Sequence, residues 1–341
     1  MTNKRQILLF WLFAFLAAVF FFLDLLSGPA AISPAGVFDI LINGGDNTPA
    51  SVIIFDFRMP KALSAILIGA GLSVAGLLMQ SLFRNPLAGP YVLGVSSGAS
   101  LAVAVLVMAG GIGITALTAS SWMQALFAVT GSVAVLVVVL LISVRVRDSV
   151  SLLIVGIMIA GITSSVVSVL QFFTSPDLLQ HFMVWTFGSL SGIDYSQLSV
   201  LAPVVITGIA IAFLLQKPLN SILLGDNYAS LLGVSIRRLR VWLIVSTGLI
   251  AGTITAFAGP VVFVGVAVPH LTRSVFRTGD HRILVPASVL TGSVFMLACD
   301  IASQIPGFST ALPVNAVTSI VGAPVIIWII MKNRRLRTAN F

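Results

Sequence analysis

Residues 62–83 read ALSAILIGAGLSVAGLLMQSLF. These are 22 consecutive residues without a charge. A bilayer core is crossed by about 20 apolar residues in a helix, so this stretch is long enough to span. Charge bounds it on both sides, with Arg58-Met59-Pro60-Lys61 leading in and Arg84-Asn85-Pro86 leading out. Working outward, nine more apolar segments follow the same plan, at 7–26, 91–109, 122–144, 150–173, 197–215, 241–258, 260–272, 283–303 and 311–331.

The loops between the segments carry the orientation. With the N-terminus placed in the cytoplasm and sides alternating, the inside holds Lys4, Arg5, Arg84, Arg145, Arg147, Lys217, Arg237, Arg238, Arg240, Arg273, Arg277, Arg282, Lys332, Arg334, Arg335 and Arg337. The outside holds only Arg58 and Lys61. A bias of Lys and Arg toward cytoplasmic loops is what sets membrane topology. The expected fold is therefore an all-α polytopic protein of the cytoplasmic (inner) or plasma membrane, multi-pass. It has about ten transmembrane helices and both termini in the cytoplasm. Residues 1–341 read as a single transmembrane domain.

Composition agrees. Mean hydropathy is +1.12 and only 8% of residues are charged, which excludes an ordinary soluble globule. The net charge of +8 does not signal nucleic acid, because the basic residues sit at span ends and form no continuous patch. All ten acidic residues are Asp. Asp148, Asp226 and Asp280 fall inside; Asp24, Asp39, Asp46, Asp56, Asp177, Asp194 and Asp300 fall outside or at outer span ends. Cys299 is the only cysteine, so no internal disulfide forms. The apolar run after Lys4-Arg5 is too long for a signal-peptide core and reads as a retained first helix.

Several local features shape the expected bundle. The longest outer loop covers 27–61 and the longest inner loop 216–240. The segment from Pro260 to Thr272 is short, opens on Gly259-Pro260 and contains Pro269, so it reads as a half-length or broken helix buried among others. Small residues recur four apart at Gly94/Gly98, Gly156/Ala160, Gly188/Gly192 and Gly248/Gly252, a spacing that lets helices approach closely in lipid. Residues 58–76 and 240–259 are faintly alike, as in a transporter-type internal repeat.

Absences limit the chemistry. No P-loop, H-E-x-x-H or G-x-S-x-G motif occurs, and Gly69-x-Gly71 lacks the third glycine of a dinucleotide site. Asp300 is the main ionisable residue inside a span. Ion-coupled carriers and intramembrane enzymes both need buried polar clusters, so a chain that transports would draw its energy from another subunit.

Three stretches combine polar, Gly and Pro residues beyond what spanning helices need. The first runs from Arg58-Met59-Pro60-Lys61 through Gly69, Gly71, Gly76 and Gln80 to Arg84-Asn85-Pro86-Leu87-Ala88 and Leu93-Gly94. The second is Leu224-Gly225-Asp226-Asn227-Tyr228-Ala229-Ser230-Leu231-Leu232-Gly233. The third holds Gly259-Pro260, Phe263, Gly265, Pro269-His270, Arg273, Gly279-Asp280-His281-Arg282 and Pro286, with Leu312-Pro313 and Gly322-Ala323-Pro324 beyond it. Together, from about Arg58 to Trp328, they resemble the FecCD family, the permease subunits of type II ABC importers for iron-siderophores, haem and vitamin B12.

The resemblance implies a permease that makes and breaks no covalent bond. It packs against a second permease chain, either a copy of itself or a paralogue. Two separate ATP-binding subunits hold the ATP and Mg, so this chain binds no cofactor and no metal. An extracytoplasmic binding protein delivers a ferric chelate, siderophore first, with haem or cobalamin as alternatives. Outside the family, an ion-coupled secondary transporter is the rival.

Roles carry over by position. Arg58 and Lys61 match cations that dock acidic residues of the binding protein. Gly225, Asp226, Ala229, Leu232 and Gly233 match the coupling helix in the 216–240 loop, with Asp226 and Asn227 capping its start, Gly233 ending it, and Ala229 and Leu232 facing the ATPase. Asn85, Leu87, Ser149 and Val150 match positions that narrow the pathway on the cytoplasmic side. His270, Arg273, Asp280 and Arg282 form a structural inner loop in which Asp280 is placed to pair with Arg273 or Arg282. Two departures stand out. Ala311 replaces a Glu before the late Leu-Pro. Gln304 replaces an Arg after Asp300, which removes one outer cation and raises the heterodimer.

Overall fold

A computed structural model describes residues 3–44, 48–109, 120–146, 148–304 and 311–338. Arg147 and Asp46 lie outside these residues, as do the side chains of Lys332, Arg334, Arg335 and Arg337. Among the described residues the chain is all helix. In order the helices are α1 (Lys4–Leu26), α2 (Pro34–Asn43), α3 (Pro49–Phe83), α4 (Val95–Ala109), α5 (Ser121–Arg145), α6 (Ser149–Phe172) and α7 (Pro176–Phe187). They continue with α8 (Tyr195–Leu214), α9 (Gln216–Ile222), α10 (Asp226–Leu231), α11 (Ile236–Ala258), α12 (Val264–Phe276), α13 (His281–Ser303) and α14 (Val314–Thr338). Seven of them, α1, α3, α5, α6, α8, α11 and α13, are long and apolar enough to cross a membrane. Each of the ten apolar segments contains the greater part of a helix.

One loop is more structured than the sequence suggests. The 27–61 stretch contains α2 and the first turns of α3. Helix α2 starts at Ser33, whose hydroxyl accepts from Gly36 N, and Pro34 sits at its first position. Helix α3 starts at Thr48 in the same way, then widens into a π turn over Ile53–Arg58. The widening has a local cause. Pro60 has no N–H and its ring crowds the carbonyl four residues back, and just before it Met59 N–H reaches Ile54 O, five residues back.

Helix α3 is the axis of the bundle. From Pro60 to Phe83 nearly every residue is buried. Its first half packs with Leu25, Ile254, Val264 and Met296 in one core, and its second half with Leu219, Ala229, Leu243 and Leu284 in another. Glycines set the closest approaches. A methyl group at Gly69 would overlap the carbonyl of Gly292 on α13, and one at Gly76 the carbonyl of Gly265 on α12. Across the first seam Ser73 Oγ donates to Ser288 O at 2.6 Å and Ser293 Oγ to Ile66 O at 3.1 Å. Of the small-residue pairs, Gly98 meets Gly131 of α5 and Gly156 meets Val92, as close packing requires. Gly188 and Gly192 instead lie in the connection after α7.

Helix α12 is half-length but unbroken. Its 13 residues rise about 20 Å, short of a full crossing, and Pro269 sits inside it. Ahead of it the chain from Gly259 to Phe263 is irregular. Tyr91 Oη accepts from Val261 N and Asn315 Oδ1 from Val262 N, both at 3.2 Å. Irregular backbone at membrane depth is tolerated only where its polar groups find such partners.

The bundle gathers its charges at two ends. The start of α1, the ends of α3 and α12, the starts of α11 and α13, and α9 and α10 share what is called here the basic end. The end of α1, the start of α3 and the end of α13 share the acidic end.

Candidate functional site

The most exposed apolar surface of the basic end is the short helix α10. Gly225 precedes it at φ 108. Asp226 and Asn227 are its first residues rather than its cap, because the N-cap position falls on Gly225, which has no side chain to offer. Its C-terminus closes as a Schellman turn: Val234 N donates to Ala229 O and Gly233 N to Ser230 O, both at 3.0 Å, with Gly233 at φ 82. The helix turns Ala229 inward, fully buried against the α3 and α11 core. Ala229 therefore does not face a partner. The outward face is Leu224, Tyr228, Leu231 and Leu232, with Leu231 85% exposed.

Arg84 ties this helix to α3. It ends α3 in the left-handed region at φ 46. Its Nη2 donates to Asp226 Oδ1 at 2.5 Å and to Ile222 O at 3.3 Å. Both side chains of the ion pair are about half exposed.

Behind Arg84 lies a polar seam. Arg273 on α12 donates to Gln80 Oε1 at 3.0 Å, and Gln80 donates to Val266 O at 3.2 Å. His270 Nε2 donates to Pro86 O at 2.6 Å and so holds the turn that follows Arg84. Asp280 is the N-cap of α13 and accepts from Arg282 N at 2.9 Å and from Asn220 Nδ2 at 2.5 Å. It forms no ion pair with Arg273 or Arg282: Arg273 is turned toward Gln80, and Arg282 reaches Asp280 through its backbone, with its side chain exposed. Partial burial works against the Asp280 carboxylate, but the Arg282 and Asn220 donors outweigh it and hold its pKa below the ordinary value. Buried His281 completes the seam, with Nε2 2.7 Å from Ser81 Oγ and Nδ1 donating to Asn220 Oδ1 at 2.9 Å.

A polar cavity of about 350 Å³ opens beside this seam, lined among others by Ser81, Arg84, Asp148, Ser149, Val150 and Arg240. Asp148 caps α6 by accepting from Ser151 N and Ser151 Oγ, and these bonds hold its pKa low. Arg240 donates to Val146 O at 2.7 Å. Of the four expected pathway residues, Ser149 and Val150 line the cavity. Asn85 and Leu87 lie outside its lining on the turn after α3, where Asn85 Oδ1 accepts from Leu87 N at 2.9 Å and Leu87 is exposed.

At the acidic end the two outer cations make contacts within the chain. Arg58 and Lys61 do not stand free on the surface; they are 5% and 6% exposed. Arg58 donates to Leu25 O at 2.7 Å and to Ala30 O, capping the carbonyl end of α1 with a cation. Lys61 Nζ lies 2.8 Å from Asp300 Oδ2 and 3.4 Å from Asp24 Oδ1. Gln304 donates to both carboxylates at 3.3 Å. Asp24 is thus buried and ionisable alongside Asp300. Both sit in the last turns of their helices and share Lys61, which differs from an uncompensated carboxylate at mid-bilayer.

Sequence reasoning did not single out Arg84, Asn220, His281 or Asp24. Arg84 and His281 stood inside the quoted motifs, and Asp24 is the one charge in an apolar run. Asn220 carried no signal. No cluster of three or more His, Cys or Asp side chains suited to a metal ion occurs among the described residues.

The described residues thus form a helical bundle with glycine-set seams, seven helices long and apolar enough to cross a membrane, and an exposed apolar helix at the basic end. The profile of the FecCD transport family matches residues 16–332, and the chain belongs to that family as a permease of an ABC importer. It is 31% identical over 336 residues to the vitamin B12 import system permease protein BtuC of Salmonella arizonae, covering 98% of this chain and 96% of that protein. The BtuC protein of Salmonella typhimurium is 32% identical, with 98% and 97% covered. Among solved structures, an inward-facing metal-chelate type ABC transporter superposes with a TM-score of 0.83 at 25% identity, covering 95% of this chain and 99% of the other.

Proposed function

We propose that the chain is the single-domain, membrane-spanning half of an ATP-driven importer of a metal chelate in the bacterial inner membrane. It would cross ten times, with the basic end and both termini in the cytoplasm. The observation that carries this reading is α10, a buried-backed helix that presents exposed leucines and a tyrosine to the cytoplasm. Apolar surface of this kind marks a protein contact, and the partner the family supplies is an ATPase holding ATP and Mg. Helix α6 supports a pathway role: its exposed face carries Gly161, Ser164, Ser165 and Ser168 among apolar residues. That is a weakly polar lining suited to a bulky chelate, or to the seam with a second permease chain. Ser149, Val150, Asn85 and Leu87 lie at its cytoplasmic mouth and narrow it. The extracytoplasmic binding protein docks on the acidic end, where Arg58 and Lys61 exchange their intrachain acceptors for its carboxylates.

Ferric siderophore is the first substrate class to test. Cobalamin is a second reading, favoured by the names of the relatives, and haem a third. The deciding experiment is purification of the tagged chain from its native membrane with everything bound to it. A stoichiometric P-loop ATPase is expected, and the presence or absence of a paralogous permease separates heterodimer from homodimer. A chain that purifies alone, with uptake insensitive to ATP depletion, would return the secondary transporter to the front. Uptake of radiolabelled cobalamin and of a radiolabelled ferric siderophore, compared in cells with and without the chain, assigns the cargo.

A further inference from the structure

The coupling helix touches the bundle in two different ways. Ala229 gives an apolar contact, which is non-directional and tolerates sliding. Arg84 gives a directional one. A single guanidinium holds Ile222 O, at the end of α9, and Asp226 Oδ1, at the start of α10. It therefore spans the short connection containing Gly225, at φ 108, that joins α9 to α10. The backbone is arranged for this contact. Arg84 occupies the left-handed region at φ 46, an uncommon state for a residue with a side chain, kept only where the surroundings enforce it. At its other side Arg84 terminates α3, which is locked to α12 and α13 through Gly76 and Gly69. The turn after it, held by His270 on α12, carries Asn85 and Leu87. A displacement of α10 transmitted through Arg84 thus reaches the turn and both central seams together.

We infer that Arg84 is a positioning residue that, through Asp226, transmits movement of the coupling helix to α3 and the cytoplasmic mouth. This rests on the importer reading. The pair is half exposed, and exposed pairs add little to stability. Loss of Arg84 should therefore uncouple the subunits rather than unfold the chain.

The test uses the complete complex of this chain with its permease partner and ATPases in lipid nanodiscs. Leu87→Cys and Val150→Cys, both exposed, receive spin labels; the native Cys299 is buried. Distances are measured without nucleotide and with ATP plus vanadate. The parent complex should shift its distance distribution on trapping. With R84A the complex assembles and the ATPases turn over, but the nucleotide-driven population ratio falls roughly fivefold or more, the scale of a lost allosteric coupling. R84K, which keeps a cation able to donate to both acceptors, should restore most of the shift. An R84A shift equal to the parent's would overturn the inference and leave the importer reading standing. An R84K complex as impaired as R84A would overturn it as well. A parent complex that does not respond to nucleotide would sink both.

Discussion

Replacing Lys61 with methionine keeps most of the side chain's length and removes its charge. In the native cluster the ammonium lies 2.8 Å from Asp300 and 3.4 Å from Asp24, and all three side chains are at most 8% exposed. At an effective dielectric of about 20, the gross attraction of the nearer contact, Lys61 with Asp300, is roughly 6 kcal/mol. Desolvation of the ions offsets much of that in the native protein. In the variant the offset no longer helps, because two carboxylates remain buried with Gln304 as their common donor. Removing one partner of a buried pair costs about 3–5 kcal/mol, so K61M should lose that much. The assay is equilibrium unfolding in mixed micelles with rising dodecyl sulfate, followed by circular dichroism. The triple variant K61M/D24N/D300N, which removes the whole ion cluster, should recover most of the loss. A K61M loss below about 1 kcal/mol is what a solvated surface pair gives, and it would refute the buried cluster.

Three further outcomes follow from the same geometry. L231E places a charge at the most exposed point of α10, so pull-down should lose the ATPase subunits while the helicity of the chain is unchanged. N220A removes the acceptor of His281 Nδ1 and a donor to Asp280; stranding buried polar groups should cost about 1–3 kcal/mol in the same unfolding assay. Asp280 has a folded pKa below its unfolded one. Its contribution is therefore full above an unfolded pKa of about 3.9 and drains away as pH falls through the lower folded value. D280N should flatten the acid limb of the stability curve below about pH 4, and an unchanged acid limb would remove Asp280 from the account.

Long apolar runs such as 62–83 announce helices because lipid leaves the backbone no other way to satisfy itself. Arg58 and Lys61, set apart in sequence from the other basic residues, meet the ends of α1 and α13. Contacts at a distance were less legible. Arg58 and Lys61 read as surface cations because they follow a loop in sequence, whereas the π turn continues α3 through them and delivers them into Asp24, Asp300 and the end of α1. Ala229 was placed on the partner face because six residues of helix have no periodicity to decide which side is buried. Asp280 found Asn220 instead of an arginine, since its place at the start of α13 already commits it to backbone donors. The motif around Arg84 was visible; its tie to Asp226, 142 positions away, was not.

The acceptor for Val262 N–H is Asn315, on the last helix in chain order. During synthesis, then, the irregular stretch between α11 and α12 enters the membrane before its acceptor exists. Until α14 is made, that amide must be covered by water, by lipid carbonyls or by the translocation machinery. A chain cut short before Asn315 would leave the Val262 amide without its side-chain acceptor.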